Sequence, residues 1–134
     1  MNYNFNDGGR KNAGFKGSTG DCGVRALAIA LDMDYKIAYN LLAQANKDMG
    51  FAKSARNGIH KNIYNSVLNK LGWFWVSAPK FVGRKARCSD LKGIVIAQQA
   101  GHFVTVINGI PQDTWDCSNK MVYGYWVNLI RKST

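Results

Sequence analysis

In the first half of the chain, apolar residues are spaced as they are in helices. Residues 22 to about 31 are apolar except for Arg25, which predicts a helix that is buried on nearly all sides. Asp34 is a suitable N-cap for a second helix over residues 35–46, and a third helix is predicted over residues 60–71. Apolar residues recur every three or four positions in both of these helices, so one face of each should be buried.

In the second half of the chain, short runs rich in β-branched and aromatic residues are typical of strands. The predicted strands are residues 73–76, 93–97, 102–107, 110–115 and 121–129. Asn108-Gly109 is a strong hairpin turn, so the strand after it should return antiparallel to the strand before it. Helices followed by an antiparallel sheet predict an α+β fold, with the buried first helix packed on the sheet.

The length and composition favour a single domain over residues 1–134. Of the 134 residues, 46% are apolar, which is enough for one core. Residues 1–18 are rich in Gly and Asn and are predicted to form a loop or arm. No apolar run approaches the roughly 20 residues of a membrane span, and residues 1–6 do not resemble a signal peptide. We therefore expect a soluble cytoplasmic protein that does not bind membranes.

The charge of the chain is strongly positive. Eighteen Lys and Arg residues against eight Asp residues give a net charge of +10, which favours an acidic protein or a nucleic acid as a partner. The simpler interpretation is a solvated basic surface, because the basic residues are spread along the chain. The densest group, and the candidate binding surface, is Lys80, Arg84, Lys85, Arg87 and Lys92.

The three cysteines, Cys22, Cys88 and Cys117, cannot all pair within the chain, so free thiols are expected. Their spacing matches no zinc motif, and the chain has only two histidines, so neither a metal nor another cofactor is predicted. Cys22 differs from the other two because it opens the predicted first helix. The N–H groups and the dipole at a helix N-terminus favour the thiolate, which is the nucleophilic form.

A nucleophilic thiol needs a base, and His102 is a better candidate than His60. His102 begins a predicted strand, and the chain returns beside that strand across the hairpin turn. If residues 108 and 109 form the turn, position 104 lies opposite Asp113, which places this carboxylate diagonally from His102. Asp116 is the alternative orienting acid, since a bulge or a register slip at Pro111 would exchange the two.

These residues together resemble a known family. The motifs are Gly20-Asp21-Cys22-Gly23 at the head of a buried helix, the sequence Gly-His-Phe-Val-Thr-Val over residues 101–106, and Asp113-Thr114-Trp115-Asp116 across the hairpin. Their order is similar to that of the papain-like cysteine peptidase fold, and most like its small C39-like members encoded by bacteria and phages. The resemblance covers roughly residues 18–127.

The resemblance implies a thiol hydrolase that cleaves peptide or isopeptide bonds. In this scheme Cys22 is the nucleophile, His102 the general base and acid, and Asp113 the orienting residue. The substrate would be a protein or peptide, and a phage-encoded enzyme would act in the cytoplasm of its host.

The chain departs from the family at the oxyanion site. Papain-like enzymes usually carry a glutamine about six residues before the nucleophile, where this chain has Lys16. Ser18, Thr19 and Lys16 are therefore the side-chain candidates for stabilising an oxyanion, beside the backbone N–H of Cys22.

Two alternatives remain open at this point. The first is a non-catalytic protein on the same scaffold, whose basic surface engages a host protein or a nucleic acid. The second is an acyltransferase or transglutaminase-like enzyme, because the same three residues can pass an acyl group to an amine as well as to water.

Overall fold

The computed structural model describes residues 2–15, 20–55 and 58–128, which fold into helices followed by most of a sheet. The helices are α1 (Cys22–Ala30), α2 (Tyr35–Asp48) and α3 (Lys61–Lys70). The strands are β1 (Asn4–Phe5), β2 (Trp73–Ser77), β3 (Ile94–Gln99), β4 (His102–Ile107), β5 (Ile110–Asp113) and β6 (Gly124–Asn128). The predicted α+β class is confirmed, and the papain-like identity stays a prediction.

The six strands form one sheet in the order β1-β5-β4-β3-β6-β2. The prediction of an antiparallel sheet is wrong at one edge, because β1 pairs with β5 in parallel and makes the sheet mixed. The N-terminal segment, predicted as a loop or arm, therefore contributes an edge strand. This strand is held by non-local bonds, among them Asn6 N–H to the Asp113 carbonyl at 2.9 Å and the Asn4 amide to Gln112 at 2.6 Å. Such pairing overrides a low local preference for strand.

The hairpin between β4 and β5 has the predicted register. Ile107 pairs with Ile110 and Thr105 with Gln112. Asn108 and Gly109 have φ values of 49° and 85°, the positive angles that a tight hairpin turn requires. β5 ends at Asp113, two residues earlier than predicted, so Asp113 is the last residue of its strand.

Side chains from the two faces of the sheet belong to two separate cores. The larger core contains the helices together with Ile96 and Trp126 from the sheet. The second core contains Val95 and Val104 with residues of the segments that follow β2 and β5. α1 packs on β4, where the Thr105 hydroxyl donates to the Ala26 carbonyl at 2.6 Å.

The position of α1 agrees with the prediction of a buried first helix. Seven of its nine residues are buried, and it lies against both β4 and α2. Within the described part of the chain, none of the helices is long and apolar enough to cross a membrane.

Candidate active site

Cys22 is the first residue of α1 and remains partly exposed, whereas Cys88 and Cys117 are buried. Its sulfur accepts a hydrogen bond from the Phe103 backbone N–H at 3.5 Å, so the thiol lies beside the start of β4. The next residue, Gly23, permits this close packing, because a Cβ there would lie 3.1 Å from the ring of Tyr64. The helix N-terminus is thus directed at the strand that carries His102.

His102 is bonded to Asp113 through one ring nitrogen. Its Nε2 lies 2.6 Å from Oδ2 of Asp113, and the two residues are only 7% and 1% exposed. The ring and the thiol of Cys22 are close enough for each to shift the pKa of the other. Since Nε2 is occupied by the carboxylate, Nδ1 is the nitrogen left for the thiol. The partly exposed Trp115 ring lies 4.9 Å from the His102 ring, centroid to centroid.

The ionisation of the thiol and the ring follows from these contacts. Burial raises the pKa of Cys22, but the neighbouring His102 ring and the hydrogen bond from the Phe103 N–H outweigh this and lower it below the ordinary 9.0. Burial lowers the pKa of His102, but hydrogen bonds, of which that to Asp113 is the largest contribution, raise it to about 11. Both shifts favour a thiolate–imidazolium ion pair over a neutral thiol and a neutral ring.

The other predicted residues lie apart from this group. Asp116 is exposed, and its carboxylate accepts from the Ser118 N–H at 3.0 Å, so Asp113 and not Asp116 contacts His102. His60 is an exposed N-cap of α3. The oxyanion candidates Lys16, Ser18 and Thr19 lie outside the described residues. The first N–H groups of α1, including that of Cys22, have no acceptor within the helix and are available as oxyanion donors.

Two charged residues of the site, Arg25 and Asp21, are not among those predicted from the sequence. Arg25 is the single charged residue inside the apolar run of α1, and its Nη1 lies 2.5 Å from Oδ1 of Asp113. Its Nε lies 3.1 Å from Oδ1 of Asp21, which precedes the nucleophile. The sequence did contain a signal for this contact, because Arg25 is a charged residue at a position that the apolar pattern places in the core. A buried cation needs an anion beside it, so an acidic partner for Arg25 could have been expected.

Cys117 also contacts the group, although no role is predicted for it from the sequence. Its thiol donates to Oδ2 of Asp113 at 3.5 Å, and its pKa is raised by the neighbouring thiol of Cys88 and by burial. The side-chain amide of Gln99 binds both buried cysteines. It donates to the Cys117 carbonyl at 2.9 Å and to the Cys88 sulfur at 3.6 Å. The protonated Cys117 is therefore a hydrogen-bond donor to the carboxylate and not a second nucleophile.

His102, Asp113 and Cys117 place one ligand atom each within 4.8 Å of one another, the spacing of a possible metal site. Two features argue against a metal here. The 2.6 Å between Nε2 and Oδ2 is a hydrogen-bond distance, whereas two ligands of a tetrahedral zinc ion are about 3.3 Å apart. The Arg25 cation already occupies the other carboxylate oxygen.

The predicted basic surface is an exposed segment between β2 and β3. Lys80, Arg84, Lys85, Arg87 and Lys92 are all exposed. Arg84 is partly neutralised, because its guanidinium makes two bonds of 2.9 Å to the Asp90 carboxylate and stacks 3.8 Å from the Phe81 ring. The turn beside it presents Val82 with its side chain fully exposed.

The ion pair predicts how the stability of the fold depends on pH. In the unfolded chain His102 loses its proton near 6.5 and Cys22 near 9.0, whereas folded His102 keeps its proton to about 11. The raised pKa of His102 adds stability that is fully present below 6.5 and is lost as the pH rises toward 11. The lowered pKa of Cys22 adds stability that is present above 9.0 and is lost as the pH falls, so the thiol offsets part of the loss from the ring as the pH rises toward 9.0.

Urea unfolding at a series of pH values checks this expectation in the wild type and in Cys22→Ala. Without the thiol this offset is absent, so stability should fall more steeply between 6.5 and 9.0 in Cys22→Ala than in the wild type. The difference between the two proteins removes the titration of all other groups. Identical pH profiles would show that Cys22 and His102 do not ionise as a pair.

No family model matches the chain, and neither a curated protein nor a solved structure matches it with significant similarity.

Proposed function

We propose that the protein is a thiol hydrolase that cleaves peptide or isopeptide bonds with a Cys22-His102-Asp113 triad. The observation that carries the proposal is the buried 2.6 Å contact between His102 and Asp113, beside a thiol at a helix N-terminus whose pKa the ring lowers. A solvated surface thiol lacks such partners. A structural cysteine is usually buried in apolar surroundings, which raise the thiol pKa and leave it inert.

In the first half of the reaction, the Cys22 thiolate attacks the carbonyl carbon of the scissile bond. The negative charge moves to the carbonyl oxygen, where the backbone N–H of Cys22 is a suitable donor. The His102 Nδ1–H then transfers its proton to the leaving nitrogen, the C–N bond breaks, and an acyl-thioester remains on Cys22. Asp113 stays ionised and holds the ring through Nε2.

In the second half, neutral His102 takes a proton from water while the water oxygen attacks the thioester carbonyl. The C–S bond breaks, the carboxylic acid product leaves, and the thiolate–imidazolium pair is restored. If an amine takes the place of water, the same steps form a new amide. This is how the transferase alternative differs from the hydrolase.

Cleavage of a proteome-derived peptide library, read by mass spectrometry as new N-termini, tests the proposal. The wild type should generate a recurring set of cleavage sites, and Cys22→Ala should generate none of them, because the attacking atom is missing. Cleavage at equal rates by both proteins would refute the triad. A second incubation with an added primary amine distinguishes a hydrolase from a transferase. A transferase yields amide products, and a hydrolase yields free acids.

The binding alternative is favoured by one observation, the exposed cations that flank the fully exposed Val82. Attraction of this basic surface to an acidic partner weakens as salt is added. In that case binding survives Cys22→Ala and is weakened by charge reversal at Lys80 and Lys85. Dependence of the biological effect on Cys22 would instead favour the hydrolase.

A further inference from the structure

The carboxylate that orients His102 is itself held from the opposite side. Oδ1 of Asp113 accepts from Nη1 of Arg25 and from the Thr114 N–H, at 2.5 and 2.7 Å, while Oδ2 contacts His102. Arg25 is only 9% exposed and also bonds to the Thr114 hydroxyl at 3.3 Å. Both oxygens of the carboxylate are thus in fixed directions.

Arg25 continues from Asp113 to a second buried carboxylate. Its Nε lies 3.1 Å from Oδ1 of Asp21, and the other oxygen of Asp21 contacts Arg10 Nε at 2.8 Å and the Tyr35 hydroxyl at 2.6 Å. Asp21 is 3% exposed and does not cap its helix with its side chain. Its carboxylate is therefore committed to Arg25 and its neighbours.

The contacts form a chain of charges that alternate in sign. In order, its members are Arg10, Asp21, Arg25, Asp113, His102 and Cys22. With the imidazolium and the thiolate included, three positive charges face three negative charges. A buried charge without a partner is costly, and each of these charges lies beside one of opposite sign.

We propose that Arg25 is a positioning residue for this site, which acts through Asp113 by fixing the direction of its carboxylate and balancing its charge. The inference rests on the proposed function for its catalytic meaning, although its electrostatic part concerns the thiol alone. Without Arg25, the Asp113 carboxylate loses its countercharge and one of the contacts that fix its direction, so it holds the His102 imidazolium less firmly beside the thiol. The imidazolium then stabilises the Cys22 thiolate less.

Within the described residues, Tyr64 and Cys117 also lie beside the thiol or the carboxylate, and both are uncharged at neutral pH. Tyr64 donates its hydroxyl to the Gly23 carbonyl, and burial raises its pKa well above 10.0. The pKa of Cys117, which donates to Asp113, is also raised. Neither residue therefore adds a charge beside those of the charge chain.

The test measures the rate of Cys22 alkylation by iodoacetamide as a function of pH, with peptide mass spectrometry identifying the labelled cysteine. The pH at the inflection of this curve is compared between one variant that removes a cation and one that removes an anion. Arg25→Met should move the inflection upward by about 1 pH unit, because a cation is lost. Asp21→Asn should move it downward, because an anion is lost. Loosening of the site by a merely structural change would move both variants the same way. Arg25→Lys keeps the positive charge but lacks the planar guanidinium group. Its inflection should stay near the wild-type pH.

The route through Asp113 is tested in the Asp113→Asn background, where Arg25→Met should shift the inflection by less than half as much. An equal shift in the two backgrounds, or no shift in folded Arg25→Met, would overturn the proposal. If Arg25→Met does not fold, the result for Asp21→Asn tests the proposal. An inflection that moves upward or does not move in Asp21→Asn would contradict the charge chain. These readouts need no substrate, so the absence of peptide cleavage would refute the hydrolase while leaving the role of Arg25 separately measurable.

Discussion

Replacing His102 with alanine is expected to reduce peptide cleavage by at least about 1,000-fold. The variant loses the group that keeps Cys22 ionised and the acid that protonates the leaving nitrogen. Because the two losses affect one step, the effect should approach that of removing the nucleophile itself. The rate of appearance of new N-termini from the best library peptide measures it.

His60→Ala is the matched control for this prediction. His60 is the other histidine of the chain, is exposed, and accepts through its side chain from the Asn62 N–H. Its loss should change cleavage by less than about 2-fold, since exposed substitutions away from a site have small effects. If both histidine variants cleave at the wild-type rate, the general-base role of His102 is excluded.

Asp113→Ala is expected to lower the free energy of unfolding by about 3 kcal/mol or more. The substitution removes the carboxylate that pairs with Arg25 and His102, both of which are buried. Each is left with fewer partners in a place where an unpaired charge is costly. Cleavage should fall as well, because the ring loses the contact that orients it.

Asp116→Ala separates this effect from the general loss of an acidic residue. Asp116 is exposed and contacts the Ser118 N–H, so its removal should change stability by no more than about 0.5 kcal/mol. Urea unfolding of the two variants at one pH gives the comparison. Similar small losses for both would mean that Asp113 does not hold the buried cations in solution.

The contact between His102 and Asp113 could be predicted because it depends on local information. The Asn108-Gly109 turn sets the register of β4 and β5, and the register sets which carboxylate lies near His102. The helix that carries Cys22 is also readable from its apolar run. In each case residues near in sequence determine the geometry.

The parts that could not be predicted depend on contacts between distant segments. β1 forms in a glycine- and asparagine-rich segment because β5 offers an open edge, which no local pattern reveals. Arg25 finds Asp113 only once α1 has packed on the sheet, 88 positions away in sequence. The burial of Cys117 beside Asp113 depends in the same way on how the segment after β5 covers the sheet.

The charge chain combines residues that local sequence patterns indicate with residues that only long-range packing brings together. The three residues of the proposed triad could be chosen from the sequence, and the packing of α1 places Arg25 and Asp21 behind His102 and Asp113. A buried cation in an apolar helix is therefore a useful signal in sequences of this kind. Its partner is an anion that the fold must bring to it.

The most direct test of the triad is the rate of Cys22 alkylation in the folded wild type as a function of pH. The account predicts a rate that rises to a plateau, with an inflection below the ordinary thiol value of 9.0. Cys88 and Cys117, both 0% exposed, should stay unlabelled until the chain is unfolded. An inflection of Cys22 at 9.0 or above would contradict the ion pair and, with it, the proposed nucleophile.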